Sequence, residues 1–314
     1  MSVPARVDTG GRLKPAINFS INQKIIMKVD KTSSLIIVSA CYLIALVVAV
    51  LVWYATSEFN SFYRILFADI AGTIVVFIGS LITRNSSMYD PYWSVVPPLI
   101  IIALIIENPD GNTKRQGMIL TAVLIWSIRL TLNWARGWKG LEHEDWRYKN
   151  IAEKTGKLYW PASFFGIHLL PTIWVYAGCL PLFYAIPYSS VITPWDYIAF
   201  IVCTAGAFIE LIADEQLRNF KSSSSTNEFI DSGIWKISRH PNYFGELLFW
   251  AGIFISVIPL PGYEGIWTIA GLISLILLFT FISIPMMEKR NLERKPGYTN
   301  YIKKVSPLIP YIKF

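Results

Sequence analysis

The chain has 314 residues, of which 54% are hydrophobic and only 16% charged, with a mean hydropathy of +0.45. That balance is too apolar for an ordinary soluble domain and points to an all-α, polytopic helical membrane protein. The net charge of +7 does not argue for nucleic-acid binding, because the basic residues are scattered over segments that flank apolar runs.

Residues 1–31 are polar and basic, and no small-residue cleavage site follows a short apolar core. They read as a cytosolic N-terminal segment rather than a signal peptide. About eight apolar runs follow, near 33–54, 62–82, 92–107, 117–134, 162–186, 193–213, 243–260 and 265–285. Most approach the roughly 20 residues that cross a bilayer as a helix. Residues 32–314 therefore form one membrane domain, ending in a polar tail over 286–314. Cys41, Cys179 and Cys203 lie far apart inside apolar runs, so no disulfide is expected. His143, His168 and His240 have no Cys or second His at ligand spacing, so no metal site is expected either.

Of the 28 Lys and Arg, all but Arg64, Lys114 and Arg115 fall on the side that carries both termini and the long loops 135–161 and 214–242. The positive-inside rule makes that side cytoplasmic, in either an endoplasmic reticulum or a bacterial inner membrane. The N-x-[ST] triplets at Asn18 and Asn85 share that side and should stay unglycosylated. The chemically rich loops thus face soluble cofactors, which favours an enzyme. A transporter would spread polar groups to both sides and to the midplane.

Four polar clusters gather on this side. Asn85–Trp93 offers Tyr89 and Asp90 at the membrane border, where they could hold and polarise a lipid-like substrate; an interfacial aromatic belt would account for Tyr92 and Trp93. Arg129 sits inside the end of an apolar run and needs a partner or a ligand. Beyond it, Glu142–Tyr148 reads mainly as a solvated juxtamembrane helix, with Arg147 the stronger candidate. Glu210, Asp214 and Arg218 recur every four residues and share one helical face. The fourth cluster is Arg239-His240-Pro241-Asn242-Tyr243-Phe244-Gly245-Glu246, over which Glu288, Arg290, Tyr298 and Tyr301 of the tail could fold. Arg, His and amide donors at a helix N-terminus suit phosphate groups. No P-loop or Rossmann glycine pattern is present, so any nucleotide must be held by the membrane domain itself.

Leu217-Arg218-Asn219-Phe220-Lys221, Gly233-Ile234-Trp235, the Arg239–Glu246 motif and the closing Pro307-Leu308-Ile309-Pro310 together resemble the steroid 5-alpha-reductase superfamily, in its DUF1295 branch. The resemblance covers roughly residues 65–314, in which seven crossings are possible. Membrane methyltransferases of the isoprenylcysteine type share an Arg-His-Pro-x-Tyr-x-Gly motif but generally lack the carboxylate that here is Glu246. The resemblance implies NADPH held on the cytosolic side and hydride transfer to a carbon–carbon double bond of an enone, in a steroid or other isoprenoid lipid drawn from the bilayer. It carries Asn242 and Glu246 onto cofactor-contacting positions, and Asp214 and Arg218 onto the polar helix before the loop. Arg129, Arg147, Arg239, His240, Tyr243, Glu288 and Arg290 complete the expected cofactor set.

The family's ketone-gripping Glu and Tyr have no counterpart in these motifs. By location, Tyr89 becomes the expected hydrogen-bond donor to the developing enolate, with Asp90 or Asp69 in support. The alternatives are an S-adenosylmethionine-dependent methyltransferase and a non-catalytic lipid-binding or assembly protein. The expected partners are a lipid substrate and membrane lipids, with no nucleic acid and no obligate protein partner.

Overall fold

Helices begin where a short polar side chain can take up free backbone N–H groups. In the computed structural model, which describes residues 29–224, 227–263 and 265–312, Asp30 caps α1 (Lys31–Ala55) and Asn60 caps α2 (Ser61–Thr83). Helix α3 (Tyr92–Glu107) starts directly after Pro91, and Asn112 caps α4 (Thr113–Gly137). A long broken segment follows: α5 (Trp146–Thr155), α6 (Tyr159–Ser163), a π-helical turn over Phe164–Leu169, α7 (Leu170–Cys179) and the short α8 (Leu182–Ala185). Helix α9 (Pro194–Ser223) is 30 residues long. It opens with a reciprocal capping box between Thr193 and Asp196 and a Pro in its first turn. The chain ends with α10 (Pro241–Ile255), α11 (Ile269–Leu278), a π-helical turn over Phe279–Ser283, α12 (Ile284–Arg294) and α13 (Tyr298–Lys304).

Among the described residues there is no strand, and seven helical segments are long and apolar enough to cross a membrane. The protein is therefore an all-α, polytopic integral membrane protein. Expected run 243–260 departs from the other seven: α10 has 15 residues, about 22 Å of helix, against a hydrocarbon core of about 30 Å. It need not match the hydrocarbon thickness by its own length, because it is sheathed by protein. A Cβ on Gly206 of α9 would lie 2.6 Å from the Gly245 carbonyl of α10, and one on Gly252 would lie 2.5 Å from Cys203 Sγ. The two backbones touch, burying Phe249 and Trp250. Apolar side chains such as Ile36, Leu43 and Leu51 of α1 point outward, as lipid contact requires.

The three cations that break the charge asymmetry are all tied down. Arg64 pairs with Glu107 at 2.7 Å under the Trp53 ring, and Arg115 pairs with Asp196 at 2.6 Å while donating to the Tyr188 and Ser190 carbonyls. Lys114 donates to Tyr197 Oη at 2.8 Å. At the other end the C-terminal tail is strapped to the chain before α10. Ser238 forms a parallel bridge with Ser306 and donates to the Leu308 carbonyl at 2.7 Å, and Tyr301 donates to the Trp235 carbonyl at 2.5 Å. Of the N-terminal segment 1–31, residues 29–31 are described; Asn18 lies outside the described residues.

Candidate functional site

Trp126, Arg129 and Asn133 follow one another at intervals of three and four on α4, so they share a face. That face meets Glu210, Asp214 and Arg218 of α9. Arg129 pairs with Glu210 and, at 3.0 Å, with Asp214. Asn133 donates to Asp214 at 2.8 Å and accepts from Arg218. Glu246 of α10 accepts from Trp126 Nε1 at 2.9 Å and from Trp250 Nε1 at 2.8 Å, beside Glu210. Arg129, Glu210 and Glu246 are 9%, 3% and 7% exposed. A bare charge at that depth costs several kcal/mol, and here each of these groups faces polar partners. The partnering is incomplete: Arg129 Nε has no hydrogen-bond acceptor among the described residues.

The network opens sideways. Between α4 and α9 lies a cleft of about 490 Å3, walled by Thr121, Leu124, Ile125, Ile128, Leu132 and Leu211. It ends in Arg129, Asn133, Arg136, Asp214 and Glu215. The volume falls within the range of about 300–1,000 Å3 common for small-molecule sites.

Near the same end, basic side chains carried by α5, α9 and α12 crowd together. Lys221 senses the charges of Arg218, Arg290 and Asp214, and Arg290 those of Arg147 and Asp145. The Arg290 guanidinium lies 3.8 Å over the Trp146 ring. Burial, with Lys221 and Arg290 beside it, holds the Lys295 ammonium below the ordinary lysine range. Burial alone would raise Asp145, yet hydrogen bonds from Arg147 at 2.8 Å hold its carboxyl below the usual carboxylate range. The Tyr243 ring is stacked between His240 and Phe279, within reach of the charges of Arg147, Asp145 and Asp214. Arg147, Arg218, Lys221, Arg290 and Lys295 thus form a crowded cationic constellation, which an anionic ligand would relieve.

Other expected site residues are engaged elsewhere. Arg239 spends its guanidinium on Glu288 at 2.6 Å and on the Ile302 and Val305 carbonyls at 2.9 and 2.5 Å. In this arrangement it anchors the tail, with Glu288 as its counter-charge. His240 Nε2 lies 3.4 Å from the same carboxylate. Asn242 sits in the first turn of α10, where its Oδ1 accepts from the Tyr243 N–H at 3.1 Å.

Tyr89 and Asp69 meet in one enclosed cluster through Tyr92, while Asp90 is engaged separately by Tyr148. Tyr89 is 2% exposed, and its hydroxyl is engaged with Thr172 at 2.6 Å. Asp90 accepts from Tyr148 at 2.5 Å, and Asp69 from Tyr92 at 2.9 Å. None of the three lines the α4–α9 cleft. Trp126 and Trp250 were not foreseen; the signal was Trp126–Arg129–Asn133 on one face, matching Glu210–Asp214–Arg218 on another.

A helical bundle with seven segments long and apolar enough to cross a membrane, which buries a charged network beside a lateral cleft, is an integral membrane protein built around an internal polar site. The chain belongs to the family described as protein of unknown function (DUF1295), whose family model matches residues 76–305 and which is part of the steroid 5-alpha-reductase-like group. It is 25% identical over 256 residues to an uncharacterized protein of Schizosaccharomyces pombe, a match covering 74% of each chain. No solved structure matches. The matched span holds the buried network and the cationic constellation, and leaves out α1.

Proposed function

We propose that this protein is a membrane-embedded, NADPH-dependent reductase of a carbon–carbon double bond in the enone of a steroid or other isoprenoid lipid. The carrying observation is adjacency: the cationic constellation reaches the buried network through Asp214, and that network opens to the bilayer between α4 and α9. A dinucleotide phosphate and a lipid have complementary surroundings a few residues apart.

Arg147, Arg218, Lys221, Arg290 and Lys295 would neutralise the phosphates, and the Lys295 ammonium, crowded when the site is empty of anions, would be relieved by them. NADPH supplies the hydride when bound, and that chemistry belongs to the nicotinamide. The protein's part is to orient and to polarise. Glu246, fixed by two indole N–H groups, and the Arg129–Asp214 pair form a rigid polar wall beside which a developing enolate would be polarised. We place both termini and the cationic side in the cytosol. The charge asymmetry supports this, sharpened because Arg64 and Arg115 on the far side are cancelled by carboxylates.

The test is nucleotide retention and stabilisation in the purified protein. NADPH at 100 times its dissociation constant should add about 2.7 kcal/mol, and NADH less, for want of the extra phosphate. Equal shifts with both, or none with either, would overturn the reading, and retained S-adenosylmethionine would replace it with methyl transfer.

A further inference from the structure

Where α4, α9 and α10 meet, the carboxyls of Glu210, Asp214 and Glu246 gather around the single guanidinium of Arg129. Asp214 lies toward the cationic side, with Arg129 at 3.0 Å and the charges of Arg218 and Lys221 close by. Glu210, one turn earlier on α9, pairs with Arg129 alone. Glu246 pairs with no cation among the described residues; its two oxygens accept from the Trp250 and Trp126 indoles at 2.8 and 2.9 Å.

The backbone presses Glu210 and Glu246 together. A Cβ on Gly245 would lie 2.6 Å from Glu210 Cγ and 2.7 Å from the Gly206 carbonyl oxygen. Because position 245 has no side chain, the Glu210 stem enters the α9–α10 contact, and its carboxyl comes within hydrogen-bond reach of the Glu246 carboxyl. Two ionised carboxylates in contact are two acceptors with no donor between them. The same deficit shows at Glu210 Oε1, which is buried and faces no donor among the described residues, on a side chain whose residue is 3% exposed. Fully ionised, the pair would set two negative charges side by side at membrane depth, against a guanidinium that Asp214 also claims. Two carboxyls sharing one site do not both ionise; they keep a proton between them.

We infer that Glu210 and Glu246 form a binding site for one proton, carried as a carboxyl O–H on Glu210 and donated to Glu246. That proton supplies the missing donor and disturbs no other contact: Arg129 still reaches Glu210, and both indoles still reach Glu246. The remaining charged groups that face the pair are Arg129 from α4 and Asp214 from the next turn of α9. The proton thereby clasps α9 to α10 at the point where their backbones touch. The site stands on this geometry and is independent of the reductase reading.

The test is infrared spectroscopy of the full-length protein in an ester-free detergent, at neutral pH and without nucleotide. An un-ionised carboxylic acid has a C=O stretch well separated from the carboxylate bands, and it shifts in D2O. The wild-type spectrum minus that of Glu210→Gln should show one such band. Gln keeps the shape and offers an amide N–H where the proton sat, so this variant should unfold at the wild-type denaturant midpoint. Glu246→Gln, made independently, should lose the same band, because Glu210 then faces Arg129 and an amide donor with no second carboxylate. Asp69→Asn and Asp90→Asn should keep it. Identical spectra for wild type and Glu210→Gln would overturn the site. A band that survives Glu246→Gln would overturn the sharing and leave a lone buried acid. A higher midpoint in sodium than in potassium at equal ionic strength, lost in Glu210→Gln, would put a metal cation in place of the proton.

Discussion

Two buried polar regions both place carboxylates at membrane depth and end up chemically different. Around α2, α3 and α7, Tyr89, Thr172, Thr73, Tyr92 and Asp69 close on one another, with the Tyr89–Thr172 and Thr73–Thr172 contacts at 2.6 and 2.7 Å. Between α4, α9 and α10, Arg129, Glu210, Asp214, Asn133 and Glu246 also pair, but they adjoin a cleft and leave a donor over. A polar cluster that satisfies itself is a cross-tie; one that stops short of satisfaction beside a cavity has room for a ligand. Both contain carboxylates at membrane depth, so depth and residue type alone do not separate structure from site.

Substitutions can break this contrast, and the largest effect should come from Arg129→Met. It leaves the Glu210 and Asp214 carboxylates without their cation, which should cost about 3–5 kcal/mol in chemical denaturation. A loss under about 1 kcal/mol would mean that the network is not built on this guanidinium. Next comes Arg239→Ala, which removes charge-assisted bonds to Glu288 and two tail carbonyls. It should cost about 1.5–3 kcal/mol and release residues 298–308 to faster hydrogen exchange, without first weakening NADPH binding. Loss of nucleotide binding with the tail still protected would restore the phosphate role.

Tyr89→Phe sharpens the comparison from the closed side. Thr172 keeps its contact with Thr73, so the variant should lose about 1 kcal/mol of stability and little turnover of an enone. A fall of about 10²–10³ in single-turnover rate would put the hydroxyl back at the reacting carbonyl. The smallest effect concerns pH. The Asp145 carboxyl is held below its unfolded value, so its contribution is present above about 3.9 and is lost as pH falls through the lower folded value. Comparison with Asp145→Asn should show a difference under about 1 kcal/mol, constant from pH 8 to 5 and closing below about 4. A difference that grows in acid would reverse the sign.

Much of the architecture was legible beforehand. The apolar runs fall on α1 to α4, on the 146–185 segment and on α9, and 265–285 falls within the Ile266–Arg294 segment. Run 243–260 misled on length because a helix hidden in protein can be as apolar as one facing lipid; the glycines that let α10 touch α9 report a backbone contact only once the partner is known. Arg239 is ambiguous in the sequence for a related reason. A cation in a motif at a helix start looks alike whether it meets a phosphate or the carbonyls of Ile302 and Val305, more than sixty residues further on.

By itself the sequence determined the class, the helical faces, the side that carries the positive charge and the family motif. Hydropathy, periodicity and charge counts are properties of one segment at a time, and the bilayer forces each apolar segment to satisfy its own backbone as a helix. Only the tertiary structure decided which faces meet. Arg129 finds Glu210 at a separation of 81 residues, and Trp126 finds Glu246 at 120. Such pairings depend on how helices cross, and helix crossing is set by side-chain packing between segments, which no single segment contains. The same packing decided that Tyr89 is enclosed while Arg129 borders a cleft.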